Sequence, residues 1–95
     1  MTSTFALASE ALSATVNEEG NLTGCPLSDS LLATFDGRVR SWMTMGRDDL
    51  VASLEGYRRM YLNAVDAYEP EIAGIFYDFK EWAHACLYVR FGYTL

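Results

Sequence analysis

The chain has 95 residues, of which 51% are hydrophobic, and it carries a formal net charge of −6. This length and apolar content predict one folded domain over residues 1–95 and exclude disorder over most of the chain. The acidic balance disfavours direct binding of nucleic acid, which needs lysine and arginine against phosphate. It favours either a partner protein with a basic surface or solubility alone.

The first segment, residues 3–16, predicts a short helix. Phe5, Leu12 and Val16 recur at near-helical spacing, and serine and threonine at its start can act as an N-cap. A β-hairpin around residues 17–20 is the alternative, but only one side of that turn has strand-like residues. We therefore rank the helix first and expect it to pack across one side of the longer helices.

Residues 17–28 predict a loop, because they contain two glycines, two asparagines and Pro26. Glu18 and Glu19 lie in it, and residues 1–36 hold five carboxylates but neither lysine nor arginine. An acidic first third of this kind suits a basic protein surface. We therefore predict that Glu18 and Glu19 contact a partner.

The next segment, residues 28–45, predicts a helix capped by Ser28 or Asp29. Gly37 would then lie in the helix interior, where glycine costs about 1 kcal/mol relative to alanine, and it would mark a close helix crossing. Gly46 follows as the residue that ends the helix. The apolar stripe of this helix consists of Leu31, Phe35, Val39 and Trp42.

Residues 47–68 form the most regular segment and predict a long helix. Apolar residues recur there at alternating spacings of 4 and 3, which is a heptad seam, and we interpret it as core packing. Arg58, Arg59 and Leu62 lie outside this seam, and an exposed leucine beside two arginines predicts a contact site. The seam consists of Leu50, Leu54, Tyr57, Tyr61, Ala64 and Tyr68.

Pro70 ends that helix and can occupy the first position of the next one, over residues 70–91. This last helix is apolar on most of its circumference, which predicts either a central buried helix or pairing with another chain. Two seams run along it, one through Ile75, Phe79, Trp82, Cys86, Val89 and Tyr93, the other through Ile72, Phe76, Phe79, Ala83 and Cys86.

The side of the last helix opposite its strongest seam carries aromatic residues with a histidine and a carboxylate, spaced by 4, 3 and 4. This composition is typical of interface cores and predicts partner contacts. The alternative is that the same side packs against the first helix. Its members are Tyr77, Glu81, His84 and Tyr88.

The nucleophilic and titratable residues do not form a catalytic pattern. His84 is the only histidine and lies two positions from Cys86, so the two side chains cannot pair on one helix. Cys86 lies on an apolar seam and predicts an inert buried thiol, while Cys25 has no basic neighbour to activate it. Glu81 and His84 make a single Glu-x-x-His pair, which is too few ligands for a metal site. We expect no enzymatic activity, no cofactor and no metal.

The sequence also predicts where the protein resides. No stretch approaches ~18 apolar residues, and the N-terminus lacks the charged and apolar regions of a secretory signal. We therefore expect a cytoplasmic protein that does not enter a membrane.

Together these observations predict an all-α fold, a small antiparallel three- to four-helix bundle with a short N-terminal helix and an acidic loop. We expect a non-enzymatic protein-binding module, a small acidic stoichiometric inhibitor or adaptor that occludes a basic surface of a partner. Phage-encoded inhibitors of host defence and bacterial immunity proteins share this size and charge. The alternative is a structural homodimer that pairs through the apolar C-terminal helix. The partner-binding residues would be Glu18, Glu19, Arg58, Arg59, Leu62, Tyr77, Glu81, His84 and Tyr88.

Overall fold

A computed structural model describes residues 3–13, 16 and 34–93. Helices account for most of this part of the chain, which confirms the all-α class. The α-helices are α1 (Thr4–Ser13), α2 (Arg38–Thr44), α3 (Arg47–Asp66) and α4 (Pro70–Phe91). The hairpin alternative, the acidic loop and the helix start at Ser28 or Asp29 all lie outside the described residues.

The two long helices α3 and α4 pack against each other as an antiparallel hairpin. Tyr57 meets Phe79 near the middle, with ring centroids 5.4 Å apart, and Tyr61 meets Tyr77 nearer the turn at 5.7 Å. Pro70 is in the first turn of α4, where its missing N–H costs nothing. The helices predicted over residues 47–68 and 70–91 are therefore confirmed, apart from the last residues of the first.

The core lies at the end of this hairpin remote from its turn. We call this region the packed end; it comprises α1, α2, residues 47–57 of α3 and residues 79–91 of α4. Both short helices contribute buried side chains to it, so four helices share one apolar cluster. Its buried members are Ala8, Leu12, Val39, Trp42, Met43, Leu50, Leu54, Ala83, Ala85, Cys86 and Leu87.

One arginine ties α2 to α4. Arg90 Nη1 donates to the carbonyl oxygens of Trp42 and Met45 at 2.8 and 2.6 Å. The last carbonyls of a helix have no partner within the helix, and a guanidinium supplies a charge-assisted one. Arg90 thus closes the C-terminal end of α2.

The helix predicted over residues 28–45 is wrong in its first described part. α2 begins only at Arg38, and the residues Thr34–Gly37 before it form a single 3-10 turn. Phe35, Asp36 and Gly37 have φ angles of 55°, 58° and 82°. These are left-handed conformations, which a right-handed helix cannot contain. Gly37 is accordingly the N-cap of α2 and not an interior helix residue.

Aromatic packing explains this turn. Phe35 reaches the rings of Phe79 and Trp82, with centroid separations of 5.2 and 5.8 Å. Left-handed backbone conformations are strained for non-glycine residues such as Phe35 and Asp36. The ring contacts made by Phe35 offset this strain.

The predicted end of the helix over residues 28–45 is confirmed, because Met45 is the C-cap of α2 and Gly46 follows it. Gly46 is extended, with φ −66° and ψ 157°, and it is also the N-cap of α3.

The predicted seams are not buried near the turn between α3 and α4. Tyr68 is 92% exposed, and Ile72 and Ile75 are exposed as well. Pro70 disfavours a helical backbone at the residue before it, so α3 cannot continue to the proline. The helix ends at Asp66, and Tyr68 lies beyond it. The two isoleucines are uncovered because the buried cluster, to which α1 and α2 contribute, lies at the packed end.

Candidate protein-binding surface

His84 and Tyr88, two residues of the predicted interface side of α4, lie against α1. The ring of Phe5 is 4.5 Å from the His84 ring and 5.6 Å from the Tyr88 ring, centroid to centroid. Burial lowers the pKa of His84 below its ordinary value, and the nearby Glu81 carboxylate partly opposes this. These contacts favour the alternative that this side packs against the first helix at His84, which is half-buried. Tyr88 nevertheless keeps 45% of its surface exposed and stays open to a partner.

Tyr77 and Glu81, the other two residues of that side, surround a lysine. Lys80 Nζ lies 2.8 Å from Glu81 Oε1 and 4.5 Å from the centroid of the Tyr77 ring. The ring of Tyr61 on α3 is 5.3 Å from the same ammonium group. Cation–π contacts and a half-buried ion pair therefore hold these side chains together. Glu81 is already engaged, whereas Tyr77 keeps 37% of its surface exposed.

The three residues predicted outside the α3 seam differ in their surroundings. Leu62 is 56% exposed, as expected from the sequence, and Arg59 is exposed on the same helix. Arg58 is half-buried, and its Nη1 donates to Glu55 Oε1 at 3.1 Å. Leu62 and Arg59 are thus open to a partner, while Arg58 is held in a local ion pair.

The remaining predicted residues, Glu18 and Glu19, lie outside the described part of the chain, as does Cys25. Cys86 is buried, as predicted, and burial raises the pKa of its thiol to about 12, which disfavours the reactive thiolate. Among the described residues, no three His, Cys, Asp or Glu side chains are grouped so that they could hold a metal ion.

The structure groups Leu62 and Tyr77, both predicted from the sequence, with exposed residues that the sequence did not indicate. We call residues 62–78, the turn and the helix segments that flank it, the hairpin end. It holds six of the ten large hydrophobic side chains that are exposed in the described part of the chain. A concentration of this kind is typical of a protein-interaction surface rather than of scattered exposed residues. The six are Leu62, Val65, Tyr68, Ile72, Ile75 and Tyr77.

The hairpin end is also strongly acidic. Asp66, Glu69, Glu71 and Asp78 lie within it, and it contains no lysine or arginine, so its formal charge is −4. Asp66, Glu69 and Glu71 are exposed. Apolar side chains rimmed by carboxylates match the core-and-rim arrangement of protein interfaces.

A groove runs across the turn of the hairpin end. Its volume is ≈ 520 Å³, and its lining includes the small side chains of Ala64 and Ala73 together with Val65 and Pro70. Tyr68 and Glu69 complete its lining. A shallow apolar depression of this kind can receive one aliphatic or aromatic side chain of a partner.

The sequence predicts a core position for Tyr68, because it continues a regular seam, and places Ile72 and Ile75 either in the core or in a contact with another chain. One signal in the sequence could have distinguished these three exposed residues from core residues. The segment from Asp66 to Asp78 has four carboxylates and no cation, and a helix end packed inside a core rarely carries such a charge.

No protein-family model, curated protein or solved structure matches this chain. In the described part of the chain, none of the helices combines the length and the apolar character that crossing a membrane requires.

Proposed function

We propose that this chain is a non-enzymatic protein-binding module, a small acidic inhibitor or adaptor that occludes a basic surface of a partner protein. The hairpin end is the observation that carries this proposal. It combines six exposed large hydrophobic side chains with four carboxylates and no cation. Burial of the apolar groups would drive association, and the carboxylates would select and orient a basic partner.

The proposal also assigns a role to partner-binding residues that were predicted from the sequence. Leu62 belongs to the hairpin end, and the exposed Arg59, three residues before it, would extend the contact along α3. Glu18 and Glu19 would add negative charge from the proposed acidic loop. We further propose that the whole chain forms an antiparallel bundle in which the hairpin of α3 and α4 is the central unit.

Affinity capture from host lysate tests this function. The tagged chain should retain a protein with a basic surface, in a stoichiometric complex that dissociates as salt is raised. Two charge reversals, Glu69→Lys with Glu71→Lys and Glu18→Lys with Glu19→Lys, probe the two acidic regions. At least one of them should weaken binding about tenfold or more, because like charges would then face each other.

A matched control keeps the charge change and moves it elsewhere. Glu10 on α1 and Asp48 at the start of α3 are both exposed, so Glu10→Lys with Asp48→Lys alters net charge by the same amount. Thermal unfolding confirms that each variant is folded. Capture that survives both reversals, or that is insensitive to salt, would contradict the proposal.

The homodimer remains the second candidate, and the exposure of Ile72 and Ile75 on α4 supports it. We rank it second because an apolar contact through these residues would bring two hairpin ends of charge −4 together. Light scattering over a dilution series separates the candidates: a tight dimer without any partner favours the homodimer.

A further inference from the structure

The groove at the hairpin end has a tyrosine beside it in a position that suits glycine. Tyr68 has a φ of 58°, in the left-handed region. Its N–H bonds to the carbonyl of Val65 at 3.1 Å, and the next N–H, of Glu69, bonds to the carbonyl of Ala64 at 2.9 Å. This pair of bonds is the Schellman motif that closes many helices, and its left-handed residue is usually glycine because a Cβ is unfavourable there.

The folded structure does not bury the side chain of Tyr68, so packing does not offset its backbone strain. It is 92% exposed, the highest value among the exposed large hydrophobic side chains of the described residues. A glycine would close α3 with less strain, and an asparagine would tolerate the same backbone. Residues kept in unfavourable backbone conformations are concentrated at functional sites, so the strain and the exposure together call for a functional reason.

The surroundings of Tyr68 supply that reason. Its side chain lines the groove together with Val65, Pro70 and Ala73, and this groove is otherwise shallow and apolar. A tyrosine ring is a rigid, amphipathic group that buries a large area at a low cost in conformational entropy. Tyrosine is also enriched among the residues that dominate binding energy at interfaces.

We propose that the groove at the hairpin end binds a basic amphipathic helix of a partner protein, with Tyr68 as the anchoring side chain. This inference rests on the proposed function and specifies its contact surface. An aliphatic side chain of the partner helix enters the groove, and the ring of Tyr68 covers it. Lysine or arginine side chains that flank it meet the exposed carboxylates of Asp66, Glu69 and Glu71.

Charge selects this occupant over two others. A second copy of the chain would place four carboxylates opposite four more, since the hairpin end carries no cation. The chain's own residues 14–33 contain Glu18, Glu19 and Asp29 and no lysine or arginine, so they do not complement the groove either. A cationic segment with an apolar face matches both the charge and the groove.

Titration of the full chain with synthetic peptides tests the inference. The probe is an amphipathic helix of leucine and lysine, about 18 residues long, followed by amide NMR shifts in the isotope-labelled protein. We expect shifts centred on residues 62–78 and a dissociation constant that rises with salt. Two control peptides should not bind: one with glutamate in place of lysine, and one with serine in place of leucine.

Variants at Tyr68 separate binding from folding. Tyr68→Gly and Tyr68→Asn should raise the urea midpoint of unfolding, because both residues accept the left-handed backbone. The same variants should weaken binding of the leucine–lysine peptide about tenfold or more, because the anchor is lost. Leu7→Ala is the matched control, since Leu7 is a large exposed side chain on α1, away from the groove.

Several results would overturn the inference. These are unchanged peptide affinity in both Tyr68 variants, equal binding of the glutamate peptide, or shifts centred outside residues 62–78. Amide shifts in the same residues on concentrating the protein alone would assign the surface to a second copy. If a native partner is captured but is lost only on reversal of Glu18 and Glu19, the proposed function stands and the docking site at Tyr68 does not.

Discussion

The two ends of the α3–α4 hairpin are built from the same two helices and yet differ in what covers them. At the packed end, α1 and α2 close over the hairpin, and eleven hydrophobic residues are buried in one cluster. At the hairpin end, Ala64 is the buried hydrophobic residue, and large apolar side chains remain in solvent. Apolar periodicity is thus continuous along both helices, whereas burial depends on which other segments reach them.

This difference separates residues that hold the fold from residues available for binding. Side chains at the packed end contribute to stability through burial and packing, and their loss leaves cavities. Side chains at the hairpin end contribute little to stability, because they are already hydrated in the folded state. The comparison therefore predicts opposite mutational profiles for two regions that both carry regular apolar repeats.

The largest expected effect is truncation of a core aromatic residue at the packed end. Trp42 is 1% exposed and packs against Phe35, Tyr57 and Phe79. Trp42→Ala should lower the free energy of unfolding by about 3–5 kcal/mol, which is enough to unfold much of a marginally stable small domain. Ile75→Ala at the hairpin end should cost less than about 1 kcal/mol, because Ile75 is half exposed.

Urea unfolding followed by far-UV circular dichroism measures both values. The informative quantity is the difference between the two losses in free energy of unfolding, since errors of extrapolation common to both variants cancel. A cost for Ile75→Ala close to that of Trp42→Ala would show that the hairpin end is covered in solution, and the comparison would fail.

A smaller effect is expected at Arg90, which ties α2 into the packed end. Arg90→Met keeps the aliphatic stem but removes both hydrogen bonds, to the carbonyls of Trp42 and Met45. Loss of charge-assisted bonds should lower the free energy of unfolding by about 2–3 kcal/mol. Arg59→Met is the matched control, since Arg59 is exposed on α3 and its loss should change stability by less than about 0.5 kcal/mol.

The sequence predicted the long helices well for a physical reason. Their apolar repeats are long, and Pro70 marks the boundary between them. The turn at Phe35 and Asp36 could not be predicted in the same way, because its left-handed residues are offset by contacts with Phe79 and Trp82, which are distant in sequence. Local patterns carry no information on such contacts.

Only part of the candidate surface could be predicted, because local patterns again carry no information on contacts between distant segments. The exposure of Leu62 follows from its position outside the seam and is confirmed. The partial burial of His84 depends on where α1 lies, and the exposure of Tyr68 depends on where α3 ends. The two carbonyls bound by Arg90 are 48 and 45 positions away in the sequence, so no local pattern indicates them.

The smallest expected effect is a pH dependence at the packed end, where His84 of α4 packs against Phe5 of α1. Burial is the main cause that lowers its pKa below the ordinary value of 6.5, and the positive charges of Arg58 and Lys80 add to it, against Glu81. The neutral imidazole is therefore favoured in the folded state, and the unfolded chain takes up its proton first as the pH falls.

Stability should consequently be greatest well above pH 6.5 and should decrease as the pH falls through 6.5 towards the lower pKa of the folded state. The urea midpoint of the wild-type chain should drop between about pH 7.5 and pH 6.0, a window above the ordinary titration of carboxylates. His84→Gln removes the titrating group and should flatten this dependence, whereas Ile75→Ala should leave it unchanged. An equal drop in the His84→Gln variant would place the sensitivity elsewhere, because the only histidine would then be absent.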